Sequence, residues 1–262
     1  MQETPATVLK VENLKGPYFK IHFSAPYIAE HARGGQFVHI KVPHLEHRLL
    51  RRPFSINSVD PEKGLLTVTF KVVGEGTRAM TFLQAGEECS ILGPLGNSFT
   101  VPEKGITPIL VVGGYGSAAT FLVGKRAPEK AIVLMGARTE SDIILSEDYI
   151  AEGCEVKIAT NDGSCGHQGF VTELLPEIVK GKDPESFLIC GCGPTPMLLA
   201  LGKLALSLGI PAELSLDEHM CCGVGACFGC VVKVADNTEQ GWRFSRSCKE
   251  GPIYKAEELY YG

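Results

Sequence analysis

Four cysteines near the C-terminus constrain this chain more than any other feature: Cys222, Cys227, Cys230 and Cys248. Gly223, Val224, Gly225 and Ala226 separate the first two, and Phe228 and Gly229 separate the second from the third. This C-x4-C-x2-C run, followed by a distant fourth cysteine, is the spacing of a plant-type [2Fe–2S] centre. One tight loop supplies three thiolates, and the fourth closes the cage from elsewhere in the chain. Glycines at 223, 225 and 229 suit that loop, because glycine takes positive φ and lets backbone approach closely. Its N–H groups then point at sulfur and tune the reduction potential. A structural zinc site is the competing reading, but such sites usually combine two short Cys pairs or a Cys and a His pair. Here the first gap holds four residues, two of them glycine, and Cys248 has no paired neighbour. Cys221 would open a register with five intervening residues, which the ferredoxin spacing leaves outside the ligand set. The quartet predicts one-electron transfer.

A chain of 262 residues with 44% hydrophobic content has room for two or three compact units. The net charge of −5 and the scatter of basic residues argue against nucleic acid or an anionic membrane as partner. Residues 1–16 mix charged and polar types without the apolar run of a signal peptide. Thiolate ligands need a reducing compartment, so a soluble, cytoplasmic chain is expected. The uncharged stretch 105–124 is as long as a membrane span. It contains Pro108, Gly113, Gly114, Gly116 and Ser117, and reads instead as a buried strand, a Gly-rich turn and a helix start.

Short apolar or alternating runs at 6–11, 18–23, 36–42, 65–73 and 89–92, punctuated by turns, predict an N-terminal antiparallel β-barrel over 1–101. Beyond Pro102, strands at 109–112, 131–135, 155–160, 187–190 and 213–216 alternate with helices through 125, at 171–179 and at 196–208. That pattern predicts a parallel α/β nucleotide-binding domain over 102–216. Residues 217–262 hold the four cysteines and a short hairpin, 231–234 with 242–244. This segment has too few apolar residues to fold alone, so metal ligation is expected to supply much of its stability.

Four further motifs carry chemistry. Arg52-Pro53-Phe54-Ser55 offers a guanidinium for a pyrophosphate, a flat apolar ring and a hydroxyl for a flavin edge; a surface Arg before a Pro-initiated strand is the plain alternative. The glycine turn Gly74-Glu75-Gly76-Thr77 offers N–H groups and the Thr77 hydroxyl to the same phosphates. Gly113-Gly114-Tyr115-Gly116-Ser117 follows a strand and opens a helix, where a nucleotide phosphate binds, although an ordinary strand–helix turn has the same form. Cys192-Gly193-Pro194-Thr195-Pro196-Met197 ends a later strand, on the side where open parallel sheets bind ligands. His167 and Asp162 lie in a turn and read as a solvated loop pair rather than an acid–base couple.

In this order, with Gly93-Pro94-Leu95-Gly96-Asn97 and the ending Cys248-Lys249-Glu250-Gly251-Pro252, the motifs resemble the ferredoxin–NADP reductase superfamily. Within it, they most resemble the electron-transfer subunits of dihydroorotate dehydrogenase B. The chain departs from the family pattern at Val112, where a further glycine is usual, and at Ala119, where proline is common. The resemblance implies an FAD-binding barrel, a nicotinamide-binding domain and a small cluster domain. It implies FAD contacts from Arg52, Pro53, Phe54, Ser55, Thr69, Phe70, Lys71, Gly76 and Thr77. Nucleotide contacts would come from Gly113, Gly114 and Gly116, and Cys192 would face the nicotinamide as the catalytic residue. Cys222, Cys227, Cys230 and Cys248 would hold the [2Fe–2S] cluster.

A nicotinamide exchanges a hydride and an iron–sulfur cluster a single electron; a flavin between them handles both. The resemblance therefore implies NAD(H) as diffusible substrate and an FMN-containing catalytic subunit as partner, in a heterotetramer of two plus two. That partner would oxidise dihydroorotate to orotate in pyrimidine biosynthesis. Alternatives are the corresponding subunit of an NADH-dependent ferredoxin–NADP oxidoreductase or a sulfhydrogenase, an oxygenase reductase with a fused ferredoxin, and a non-catalytic redox-sensing subunit.

Overall fold

The computed structural model describes residues 1–45 and 47–262. Its first half is a closed six-stranded barrel of β1 (Gln2–Lys15), β2 (Tyr18–Ser24), β3 (Phe37–Lys41), β4 (Arg52–Asp60), β5 (Leu65–Lys71) and β6 (Glu88–Leu95). Strand order is β1-β2-β5-β4-β3-β6, and every pairing is antiparallel. Side chains alternate between the two faces of a strand. Leu66, Val68 and Phe70 of β5, Val38 and Ile40 of β3, and Phe54 and Ile56 of β4 therefore share one interior. Two short helices plug the barrel's flanks, α1 (Pro26–His31) and α2 (Glu75–Met80).

A seven-stranded sheet follows, in the order β10-β9-β8-β7-β11-β12-β15, its last strand β15 being Ile253–Lys255. Its parallel strands are β7 (Thr107–Gly113), β8 (Ile132–Ala137), β9 (Glu155–Thr160), β10 (His167–Gln168), β11 (Phe187–Cys192) and β12 (Ala212–Ser215). Helices α3 (Ser117–Arg126), α4 (Ser146–Ala151), α5 (Leu175–Val179) and α6 (Thr195–Leu208) connect them. The stretch 105–124 is the strand β7, a turn and the start of α3, and no helix among the described residues is long and apolar enough to cross a membrane.

After β12 come the cluster loop, a hairpin of β13 (Val231–Ala235) and β14 (Trp242–Arg246), and β15 (Ile253–Lys255). β15 returns to the large sheet and pairs antiparallel with β12. Val232, Val234, Tyr254 and Leu259 pack into the same core as Leu198, Leu201 and Leu214. The cysteine segment therefore borrows a hydrophobic core from the α/β sheet, and metal ligation is not its sole source of order.

The two halves are fastened on several sides. A Cβ at Gly34 would lie 2.6 Å from Val123 Cγ2, so glycine there lets α3 lie against the barrel. The N–H of Gly35 donates to the carbonyl of Ala119, and Arg126 donates to the carbonyl of Ala32. Across the opposite seam, Tyr18 and Lys71 both bind Asp142, and Lys20 pairs with Asp148.

Two segments differ from the sequence expectation. Residues 52–60 form a full central strand, β4, whose pairing on both edges overrides the Arg-Arg-Pro opening that obscured it. The span 171–179 is a 3-10 turn (Val171–Leu174) followed by the single-turn α5, because Pro176 lacks an N–H and restarts the helix there.

Candidate functional site

The cluster loop places its thiols as two pairs. The N–H of Ala226 donates to Cys222 Sγ at 3.3 Å, and the Cys222 and Cys227 thiols hydrogen-bond each other. The N–H of Cys248 donates to Cys230 Sγ at 3.4 Å, and those two thiols also bond. Among the described residues, no three or more metal-ligating side chains converge on a single point. Two thiols per iron is the donor arrangement of a two-iron cluster, and this loop fits it. Cys221 is exposed, and a Cβ at Gly229 would meet both the Cys221 and Cys227 sulfurs at 3.5 Å.

The pairs differ in surroundings. Cys230 and Cys248 are each 2% exposed and pack with Phe37, Leu95 and Met220 against the barrel wall, whereas Cys227 faces solvent. Crowding by protein raises the Cys222 thiol, but the N–H groups of Val224, Cys227 and Ala226 and the Cys227 thiol outweigh it, and its pKa falls to about 6. Burial, then the bond to Cys230, pushes Cys248 up to about 12. Binding of a metal by Cys248 would release that proton. Arg246 pins the loop from outside: it donates to the carbonyl of Gly225 at 2.7 Å, pairs with Glu250, and lies 5.0 Å from the Phe228 ring centroid. Phe228 sits at φ +57° and is 61% exposed. Bulky residues avoid that backbone region, so the loop holds an apolar ring outward against local preference.

On the barrel, Arg52 and the glycine turn meet. A Cβ at Gly76 would lie 2.7 Å from Arg52 Nε, so only glycine leaves the guanidinium its place. Arg52 also donates to the carbonyl of Leu50. This cradle of a cation against open backbone fits the pyrophosphate of a dinucleotide. The Thr77 hydroxyl is engaged inside the turn, accepting from the N–H groups of Val73 and Gly74 and donating to the Gly74 carbonyl. Phe54 and Phe70 point into the barrel core, their ring centroids 5.6 Å apart, so neither stands as an open flat face. Pro53 and Ser55 are half-buried on the outer face. Thr69 of β5 donates to Asn57 of the adjacent β4 at 2.6 Å, and Lys71 reaches Asp142.

Register connects the two regions. Phe37 pairs with Ser55 and His39 with Pro53, and paired residues share a sheet face. The wall that backs the inner cysteine pair is thus the wall that carries the outward side of the Arg-Pro-Phe-Ser strand.

The glycine turns of the α/β sheet also converge. A Cβ at Gly116 would lie 2.4 Å from the Cys192 carbonyl, and one at Gly113 would lie 2.8 Å from Pro194 Cδ. The ends of β7 and β11 pack backbone to backbone, with Gly114 lining the adjoining groove beside Asp142. Cys192 is buried there, and burial together with the Asp217 charge pushes its thiol up to about 12, against a bond to Ser215. Burial thus favours the protonated thiol at this position. Tyr115 projects from this turn; protein crowding raises its phenol, with contributions from Asp217 and Cys192. His167 and Asp162 lie apart in an exposed turn, bonded to Glu173 and Ser164 respectively.

Sequence reasoning missed His39, which sits fully buried between the cluster loop and the barrel. A histidine alternating with core residues in a strand reads as solvent-facing, and only the tertiary contact with Gly223 reveals it. It also missed Asn97 as the anchor of the C-terminal segment.

A family model described as the iron–sulfur cluster binding domain of dihydroorotate dehydrogenase B matches residues 217–260. The electron transfer subunit of dihydroorotate dehydrogenase B (NAD(+)) from Desulforamulus reducens is 36% identical over 259 residues, covering 98% of this chain and 97% of that protein. Its counterpart from Enterococcus faecalis is 36% identical over 260 residues, covering 97% and 96%. A chain in the structure of an NADH-dependent reduced ferredoxin–NADP oxidoreductase superposes with a TM-score of 0.83 at 26% identity, covering 98% of this chain and 90% of that one. A ferredoxin reductase of carbazole 1,9a-dioxygenase, 21% identical, shares the fold at a TM-score of 0.68 over 81% of this chain and 68% of its own. The barrel, the parallel sheet, the paired cysteines and identity over nearly the whole length agree: the chain belongs to the family of dihydroorotate dehydrogenase B electron-transfer subunits.

Proposed function

We propose that this chain carries electrons between a catalytic flavoprotein partner and NAD(H), through a [2Fe–2S] cluster and FAD. The observation that carries the reading is the shared wall: Phe37 and His39 of β3, which back the cysteine loop, share one face with Pro53 and Ser55 of β4. Units are assigned as 1–101 for FAD, 102–216 for nicotinamide and 217–262 for the cluster. When bound, FAD exchanges a hydride with a nicotinamide and single electrons with the cluster. Arg52 holds the pyrophosphate, the Gly76 turn leaves room for it, and the Ser55 hydroxyl bonds the flavin edge. Pro53, Phe54, Thr69, Phe70, Lys71 and Thr77 shape the strands and turn around it. Gly113, Gly114 and Gly116 receive the nucleotide, and the neutral Cys192 thiol lines the nicotinamide side without trapping a charge. Cys222, Cys227, Cys230 and Cys248 ligate the cluster, with the N–H groups of the loop directed at the Cys222 sulfur.

The partner is an FMN-containing subunit that oxidises dihydroorotate, in a cytoplasmic assembly of two plus two chains. The exposed Phe228 and Val224 flank the outer cysteines and provide its docking surface. Isolated chain should oxidise NADH with an artificial acceptor and show no turnover of dihydroorotate. Adding the partner should give NAD-linked dihydroorotate oxidation, and loss of the cluster should abolish that coupling. Dihydroorotate oxidation by this chain alone would overturn the division of labour. A second reading, the equivalent subunit of an NADH-dependent ferredoxin–NADP oxidoreductase, draws on the structural likeness above. The identity of the chain that co-purifies separates the two.

A further inference from the structure

We propose that His39 donates a ring N–H to a sulfur of the iron–sulfur cluster and thereby sets how readily the cluster accepts an electron. The proposal rests on the cluster reading above and adds a residue to it that is not a ligand. Val38 and Ile40 point into the barrel core, so His39 between them leaves the barrel on its outer face. There it meets no solvent: the residue is 0% exposed. Neither Nδ1 nor Nε2 has a hydrogen-bond partner among the described residues. Buried polar groups are rarely left so, and each exception points to a strained, functional or liganded position.

The surroundings say what the partner is. A Cβ at Gly223 would lie 2.7, 2.8 and 2.9 Å from Cε1, Nε2 and Nδ1 of the ring, so the imidazole is seated on the cluster loop one residue after Cys222. On its other side the Phe37 ring centroid lies 5.7 Å away, and Phe37 packs with Cys230 and Cys248. The ring is walled by neighbours of both cysteine pairs. The charged group acting on it is the cation of Arg51, and burial with that cation favours the neutral ring. A neutral imidazole has one N–H donor. Thiolates and sulfides are the acceptors that ligation brings to this wall. A hydrogen bond to sulfur stabilises the more negative, reduced cluster and raises its potential.

Packing against Gly223 alone would predict a structural role, so the test reads the cluster itself. In a redox titration of the whole chain followed by EPR, His39→Leu should lower the cluster potential. At fixed potential the ratio of reduced to oxidised cluster should fall tenfold, about 59 mV for one electron. His39→Gln, which keeps an N–H donor, should recover most of that shift. Iron and labile sulfide should match wild type in both variants. Independently of any variant, wild type grown with isotopically labelled histidine should show a nitrogen coupling and an exchangeable proton on the reduced cluster, and His39→Gln should lack the nitrogen coupling. A cluster potential unchanged in a fully loaded His39→Leu chain would overturn the proposal. So would a shift confined to the flavin, or the absence of any histidine coupling in loaded wild type. Absence of labile sulfide from wild type would refute the cluster reading itself, a separate failure.

Discussion

The side-chain amide of Asn97 closes a two-bond ring on the backbone of Ile253: Oδ1 accepts the N–H at 2.9 Å, and Nδ2 donates to the carbonyl at 2.7 Å. Its own N–H donates to the Gly251 carbonyl at 2.7 Å. One asparagine at the exit of the barrel thus plays the part of an extra strand for the segment that follows Cys248. Gly96 beside it holds φ +74°, and a Cβ there would meet Pro252 at 2.6 Å.

Replacing Asn97 by Ala should remove both side-chain bonds to Ile253 and lower stability by about 2 kcal/mol, at roughly 1 kcal/mol for each bond. Asn97→Asp keeps the acceptor and loses the donor, and should fall between. Urea unfolding of the whole chain measures the difference. Iron retained during dialysis should decline in the same order, because Cys248 lies just upstream of the anchored residues.

Serine at any of Cys222, Cys227, Cys230 or Cys248 should abolish or strongly deplete the labile sulfide of anaerobically purified chain. Cys221→Ser should leave it at the wild-type level, since that thiol is exposed and belongs to neither pair. Equal losses at all five positions would contradict the pairing described above.

Arg52→Ala should weaken FAD retention by about 1.5–3 kcal/mol, the worth of a hydrogen bond to a charged group. Gly76→Ala should act in the same direction, because its methyl would displace the Arg52 guanidinium. Flavin released on gel filtration reports both, and it should be FAD in each.

Alkaline stability should reflect buried thiols. Cys89 is 1% exposed in the barrel core, and burial, followed by the Glu87 and Glu88 charges, pushes it up to about 12 from the ordinary thiol value of 9.0. The folded form holds that proton more tightly than the unfolded form. The contribution is therefore fully present below about pH 9 and is lost as pH rises toward 12. Each such thiol steepens the loss by about 1.4 kcal/mol per pH unit within that window. Cys89→Ala should flatten the decline of denaturant midpoint between pH 9 and 10.5 while leaving the slope below pH 8 unchanged.

Local signals made most of the fold legible. The glycine turns at 74–76 and 113–116 and the spacing of Cys222, Cys227 and Cys230 are contiguous in the chain, so their geometry shows in the sequence itself. The parallel strands announce themselves as apolar runs between helices. What escaped is set by distant partners. β4 opens with Arg52-Pro53 just after Arg51, a run that looks like a loop until β3 and β5 pair with the strand. β15 is three residues long and is a strand only because β12 lies open beside it. Helix α1 has Pro26 at its first position as a start signal, but six residues carry too little periodicity to read. Asn97 and His39 act across 156 and more than 180 positions respectively, and no window of sequence joins such pairs.

The fourth cysteine reaches its place only through partners that lie elsewhere. Ile253 must find β12 in the sheet, and residues 250–253 must find Asn97 on the barrel. A chain that has completed one of these units and not the other presents three thiols on a loop and holds the fourth at large. A metal centre that uses Cys248 together with the loop thiols would thereby form only after the barrel and the α/β sheet are both built and docked. A newly made chain with a damaged barrel would fail as an electron carrier before any flavin or partner had the chance to test it.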